Sequence, residues 1–227
     1  MLILRGNSTI NAMGSKITVV GIMSGSSLDG VDIAVCAFEE GADQWKYDLL
    51  YSHTFEYSPT WTAKLTNAHS LSGKSLALLD NEYGSLLAGY VIKVLEQQKL
   101  SVDLISSHGH TVFHDPAKKF TLQIGSGTVI RALTGIPVVY DFRSLDIALG
   151  GEGAPLVPAG DLYLFNQYEA CLNLGGFSNI SFNDQGSRIA YDICPVNIAL
   201  NYLAKNFNLA YDLNGNMGRK GLSLIHI

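Results

Sequence analysis

The stretch "GIMSGSSLDGVD" (residues 21–32) constrains the fold more than any other, because it joins two apolar runs that alternate like strands (Ile17, Val19, Val20 and Val31, Ile33, Val35). A hairpin needs only two or three turn residues, with Gly or Asn where φ is positive. This turn instead holds Ser24, Gly25, Ser26, Ser27, Asp29 and Gly30, far more hydroxyl and backbone N–H capacity than chain reversal requires. Converging N–H groups and serine hydroxyls can hold a phosphate without a net positive charge. Asp29 and Asp32 would repel a bare phosphate, so that reading needs Mg²⁺ or its waters between them. GxxxxGK[ST] is absent and the following element alternates as a strand, which excludes a Walker A loop. An ordinary polar surface hairpin, built from the same turn-forming residue types, stands beside the anion-receptor reading.

The device recurs. "ACLNLGGFSNISF" (170–182) places Gly175, Gly176, Ser178 and Asn179 between two further apolar segments. Between the hairpins, Trp45, Tyr47, Leu49 and Tyr51 alternate as a third, antiparallel strand, and 59–98 switches to helical spacing. Strand is expected again at 102–114 and in "FTLQIGSG", a helix over 126–135, and a helix near 158–166. "GIPVVYDFR" (135–143) is an almost continuous apolar run, the pattern of a strand buried on both faces. The order predicts an α/β chain in two lobes: a loose leader at 1–15, a first lobe over 16–160 and the start of a second over 161–227. The second has too few elements to cover both faces of a sheet, so a C-terminal truncation is expected.

With 227 residues, 47% of them hydrophobic, the chain can build a real core. A net charge of −5 gives no basic face for nucleic acid, and no apolar run reaches membrane-spanning length. Cys36, Cys171 and Cys194 form no CxxC pair and read as buried free thiols of a reducing cytoplasm. His108, His110 and His114 have even spacings and would share one face of a single strand. Tyrosines at helical spacing over 83–90 read as core.

Taken together, "GIMSGSSLDGVDIA", "SHGHTVFH", "FTLQIGSG", "GIPVVYDFRSLDIALGGEGAPLVP" and "LNLGGFSNIS" resemble the anhydro-N-acetylmuramic acid kinases, from about Lys16 to about Gly218. The resemblance implies the two-lobed actin/hexokinase-like ATPase fold, with mixed sheets flanked by helices and, here, an incomplete second lobe. It implies a cytoplasmic ATP- and Mg²⁺-dependent enzyme that opens a 1,6-anhydro sugar with water and phosphorylates O6, serving peptidoglycan recycling. A kinase for another anhydro sugar, such as levoglucosan, and a non-catalytic fragment are the alternatives. The full-length form would be a homodimer.

By the same resemblance, Asp141 is the base that activates water. Gly21, Ser24, Gly25, Ser26, Ser27, Asp29, Gly30, Gly175, Gly176, Ser178 and Asn179 hold ATP phosphates, and Asp29 and Asp32 meet Mg²⁺ through water. His108, His110, Thr111, Arg143, Glu152, Asp192 and Asn197 face the sugar. Members of the family commonly carry Thr at the position of Ser26 and Gln at that of Glu152. Gly150, Gly151 and Gly153 would let the loop around Glu152 fold tightly.

Overall fold

A computed structural model describes residues 16–25, 28, 30–41 and 44–222. Ser26, Ser27, Asp29, the leader and residues 223–227 lie outside the described residues. The chain divides into two compact units between Ala154 and Pro155.

In the first unit, β1 (Lys16–Met23) and β2 (Gly30–Glu40) form the expected hairpin, with Val20 opposite Val35 and Ile22 opposite Ile33. Alternation puts Val20, Ile22, Val31, Ile33 and Val35 on one face, where all are buried. β3 (Trp45–Glu56) adds antiparallel to β2, with a register shift after Val35. Two helices follow, α1 (Pro59–Thr66) and the 26-residue α2 (Gly73–Gln98). Ser72 caps α2 by accepting from the backbone N–H of Ser75, which satisfies one of the donors a helix start leaves unpaired. From α2, Leu79, Tyr83, Leu87, Val91 and Val94 recur at three and four and pack with the buried strand residues. Each such aliphatic side chain contributes roughly 1.5–3 kcal/mol on burial, and Tyr83 adds a large buried ring, so this interface is the main stabiliser of the unit.

Because α2 carries the chain back along the sheet, the next strand, β4 (Leu104–Ser107), pairs parallel to β1. β5 (His110–Asp115) and β6 (Phe120–Ile124) form a separate two-stranded sheet. After α3 (Gly127–Thr134), β7 (Val138–Tyr140) pairs parallel to β4 and completes the order β3-β2-β1-β4-β7. The short α4 (Ser144–Ala148) follows.

Three expectations need correction. β7 is a three-residue edge strand, not one buried on both faces; Val139 and Tyr140 are 45% and 49% exposed. The three histidines do not share a strand face. Gly109, at φ 73°, separates His108 from β5, and the bulge between Thr111 and Phe113 shifts the register. His110 thus pairs with Ile124 and His114 with Thr121, an odd separation that places them on opposite faces. The cysteines are free, but Cys194 is exposed and Cys36 and Cys171 are only half-buried.

In the second unit, α5 (Val157–Leu164) precedes an antiparallel sheet of β8 (Ala170–Leu174), β9 (Phe177–Asp184) and β10 (Ser187–Pro195). α6 (Asn197–Ala204) and the short α7 (Asn216–Lys220) complete it. Buried Asp161 of α5 accepts from the Ser181 hydroxyl, tying helix to sheet. Leu172, Leu174, Tyr191 and Ile193 of this sheet are exposed. No helix among the described residues is long and apolar enough to cross a membrane.

Candidate functional site

Strand register assembles the site. Ile22 of β1 lies beside Ser107 of β4, and Ser107 lies beside Tyr140 of β7. All three strands run the same way, so each delivers its next residue to the same carboxyl edge: Ser24, His108 and Asp141. This edge is where open α/β sheets present ligand-binding groups. Asp141 takes φ 60°, a left-handed conformation that Asp tolerates better than most residues and that often marks functional positions.

A run of hydrogen bonds ties these strand ends together. The Arg143 Nε–H donates to His108 Nε2 at 3.0 Å, so that nitrogen is an acceptor. The proton of the neutral imidazole is therefore on Nδ1, which donates to the Gly109 carbonyl at 2.9 Å. The same carbonyl accepts from the Ser24 hydroxyl at 2.8 Å. On the other side, Arg143 Nη1 donates to the Gly153 carbonyl at 2.6 Å. Burial, with the Arg143 charge adding to it and the Gly109 bond opposing it, holds His108 below the ordinary imidazole pKa. Burial also lowers His110.

Gly109 is the pivot of this arrangement. A Cβ at that position would lie 2.4 Å from the Ile124 carbonyl oxygen, and its φ is positive as well. The glycine-rich loop is drawn onto α4 in the same unit. The Gly153 N–H donates to Asp146 Oδ2 at 2.7 Å, and a Cβ on Gly151 would strike that carboxylate.

A cavity of about 340 Å³ opens at this edge. His108 and Asp141 line it, together with Asp80, Ser107, Gln123 and Thr128. His110, Thr111, Arg143 and Glu152 are not on its wall. His110 packs edge-on against the core residue Tyr83, while Arg143 acts through His108 and Gly153. Sequence reasoning missed Asp80, Ser107, Gln123 and Thr128 as cavity residues. The available signal was in "FTLQI", where Thr121 and Gln123 alternate to make one face of a strand polar.

In the first glycine turn, Gly21 sits within β1 and Gly30 begins β2. The Leu28 N–H donates to the Gly25 carbonyl. Asp32 is exposed on β2 and accepts from the Thr54 hydroxyl at 2.5 Å. In the second unit, the carbonyls of Gly175 and Gly176 accept from the N–H groups of Asn197 and Val196, so this turn is braced by the start of α6. The Ser178 hydroxyl donates to the Cys194 carbonyl at 3.2 Å. Asn179 lies opposite Asp192, just before a bulge.

An antiparallel hairpin leading by a helical crossover into parallel strands, with a second glycine-turn hairpin in the next unit, places the chain in the actin/hexokinase-like ATPase class. Its sequence agrees over nearly its whole length with one family within that class. The family profile described as Anhydro-N-acetylmuramic acid kinase matches residues 17–225, and the chain belongs to that family. It is 38% identical over 215 residues to an anhydro-N-acetylmuramic acid kinase of Pseudomonas putida, covering 90% of this chain and 58% of that protein. The proteins of that name from Pasteurella multocida and from Sulfurovum sp. are 38% and 34% identical, covering 89% and 91% of this chain and 56% and 59% of their own lengths. The chain thus spans a little under three-fifths of the length of these relatives.

Proposed function

We propose that this chain carries the sugar site and phosphate-binding hairpins of an ATP-dependent kinase acting on 1,6-anhydro-N-acetylmuramic acid. Its product would be N-acetylmuramic acid 6-phosphate, formed in the cytoplasm during peptidoglycan recycling, and the full-length form would be a homodimer. The observation that carries the reading is the shared cavity wall of Asp141 and His108 at the carboxyl edge of three parallel strand ends. Its volume of about 340 Å³ suits a monosaccharide.

Asp141, on the cavity wall, accepts the proton of a water that attacks the anomeric carbon. The C1–O6 bond breaks, and O6 takes the γ-phosphoryl group of ATP where an inverting glycosidase would supply a proton. Arg143 holds His108 as a neutral acceptor and anchors Gly153, which fixes the loop after Asp141. Ser24 directs its hydroxyl proton to Gly109, so its part in holding phosphate falls to its backbone N–H and to the rest of the turn. Thr54 engages one oxygen of Asp32, and the other is available to a magnesium-bound water. Magnesium would neutralise charge on the transferred phosphoryl group. Gly175, Gly176, Ser178 and Asn179 are the phosphate-binding candidates of the second unit.

The test is ADP release coupled to 1,6-anhydro-N-acetylmuramic acid, with levoglucosan as the comparison sugar. Turnover that requires the muramic sugar supports the proposal. Equal activity on both sugars, or none on either, contradicts it for this chain.

A further inference from the structure

Two residues that line the cavity each bury a polar side-chain atom without a partner among the described residues. The Ser107 hydroxyl belongs to a residue only 1% exposed, and Gln123 Oε1 is buried on the same wall. Such groups cost free energy unless something meets them.

The surrounding bonds determine which end of the Gln123 amide is left without a partner. Thr121 Oγ1 donates its proton to the Phe113 carbonyl at 3.2 Å, so it can only accept from other groups. Gln123 Nε2 donates to that oxygen at 2.7 Å and to Thr111 Oγ1 at 3.4 Å. His114 Nδ1 lies 3.2 Å from the same oxygen. Rotating the amide by half a turn would set Oε1 against Thr121 Oγ1, whose proton is already committed. The carbonyl end is therefore left as the fixed, unpartnered acceptor of this cavity-lining residue.

We infer that Gln123 is a specificity-determining residue of the sugar site: its locked carbonyl oxygen selects a ligand that offers an O–H or N–H donor at that point, with Ser107 beside it as a second polar contact. This assignment rests on the sugar-kinase reading. A site built around a buried hydrogen-bonding group rejects analogues that cannot satisfy it much more strongly than an apolar wall would.

Three variants and two ligands test it by calorimetric titration of 1,6-anhydro-N-acetylmuramic acid and of its per-O-methylated form. Gln123→Ala is expected to bind the unmodified sugar about tenfold to hundredfold more weakly. Thr121→Val, itself on the cavity wall, removes the oxygen that holds the Gln123 amide, and is expected to narrow the preference of the parent for the unmodified sugar. Phe120→Ala, on the same strand but off the cavity wall, is the control for general loosening and should keep that preference. Melting temperature and far-UV circular dichroism establish that each variant is folded. A folded Gln123→Ala protein with affinity within twofold of the parent overturns the role of Gln123 and leaves the kinase reading intact. Failure of the parent to bind the unmodified sugar overturns the kinase reading for this chain, and the assignment falls with it.

Discussion

Arg143 is the residue on which the arrangement of the site most depends, and replacing it by Ala should show this in stability before any assay of function. Its guanidinium makes two bonds, to His108 Nε2 at 3.0 Å and to the Gly153 carbonyl at 2.6 Å. Truncation leaves both acceptors behind. An abandoned buried acceptor costs about 1–3 kcal/mol. His108 is buried and should incur most of that cost, whereas half-buried Arg143 leaves a path for water to Gly153. The sum is about 2–3 kcal/mol, which for a chain of this size corresponds to a melting temperature roughly 5–10 °C lower. Urea denaturation followed by circular dichroism measures it directly. Arg143→Lys should recover little, because an ammonium cannot reproduce the two-pronged geometry. His108→Ala removes one of the stranded acceptors, so the double variant should be about 1–2 kcal/mol more stable than the sum of the single losses predicts. An Arg143→Ala protein within about 0.5 kcal/mol of the parent, or strict additivity in the double variant, would refute the reasoning.

The remaining predictions concern the same edge. Gly109→Ala must place a Cβ 2.4 Å from the Ile124 carbonyl oxygen at a φ of 73°; we expect a loss of at least about 2 kcal/mol in urea denaturation, whereas Gly89→Ala, within α2 and with nothing within 4 Å of its Cβ, should gain up to about 1 kcal/mol. His108 and His110 have folded pKa values below the ordinary imidazole value of about 6.5, so the unfolded chain takes up protons first as pH falls. Their contribution is at its full value above about pH 6.5 and declines below it, at up to about 1.4 kcal/mol per pH unit for each histidine. Urea midpoints measured from pH 7.5 to 5 should fall more steeply for the parent than for a His108→Gln, His110→Gln variant, and equal slopes would contradict the assignment. Asp141→Asn should lower turnover by about 10²–10⁴-fold while changing nucleotide affinity little, as steady-state kinetics and nucleotide titration would show.

Much of the architecture was legible because local patterns carry it. Two hairpins, the third antiparallel strand and the helical stretch from Pro59 to Gln98 follow from alternation and three-four spacing. Asp141 was legible as a residue at the end of an apolar strand. The exposure of that strand was not, since an edge position depends on which strands lie beside it, and periodicity does not encode neighbours. The histidine face failed for a related reason, because a one-residue bulge reverses side-chain parity without leaving a composition signal. Ser107 and Gln123 stayed hidden because their importance lies in what they lack, which requires knowing the partners of Thr121, Thr111 and Phe113. The bond from Arg143 to His108 spans 35 residues and depends on the parallel pairing of β4 with β7.

The central claim is that an anhydro sugar sits at the edge where β1, β4 and β7 end. The most direct measurement is a nuclear magnetic resonance titration of the isotope-labelled chain with 1,6-anhydro-N-acetylmuramic acid. The account predicts saturable shifts centred on Ser107, His108, Gln123 and Asp141, with the His108 Nδ1–H tautomer retained. Shifts centred instead on the separate groove lined by Thr60, Leu71 and Leu78, or no saturable shift at all, would contradict it.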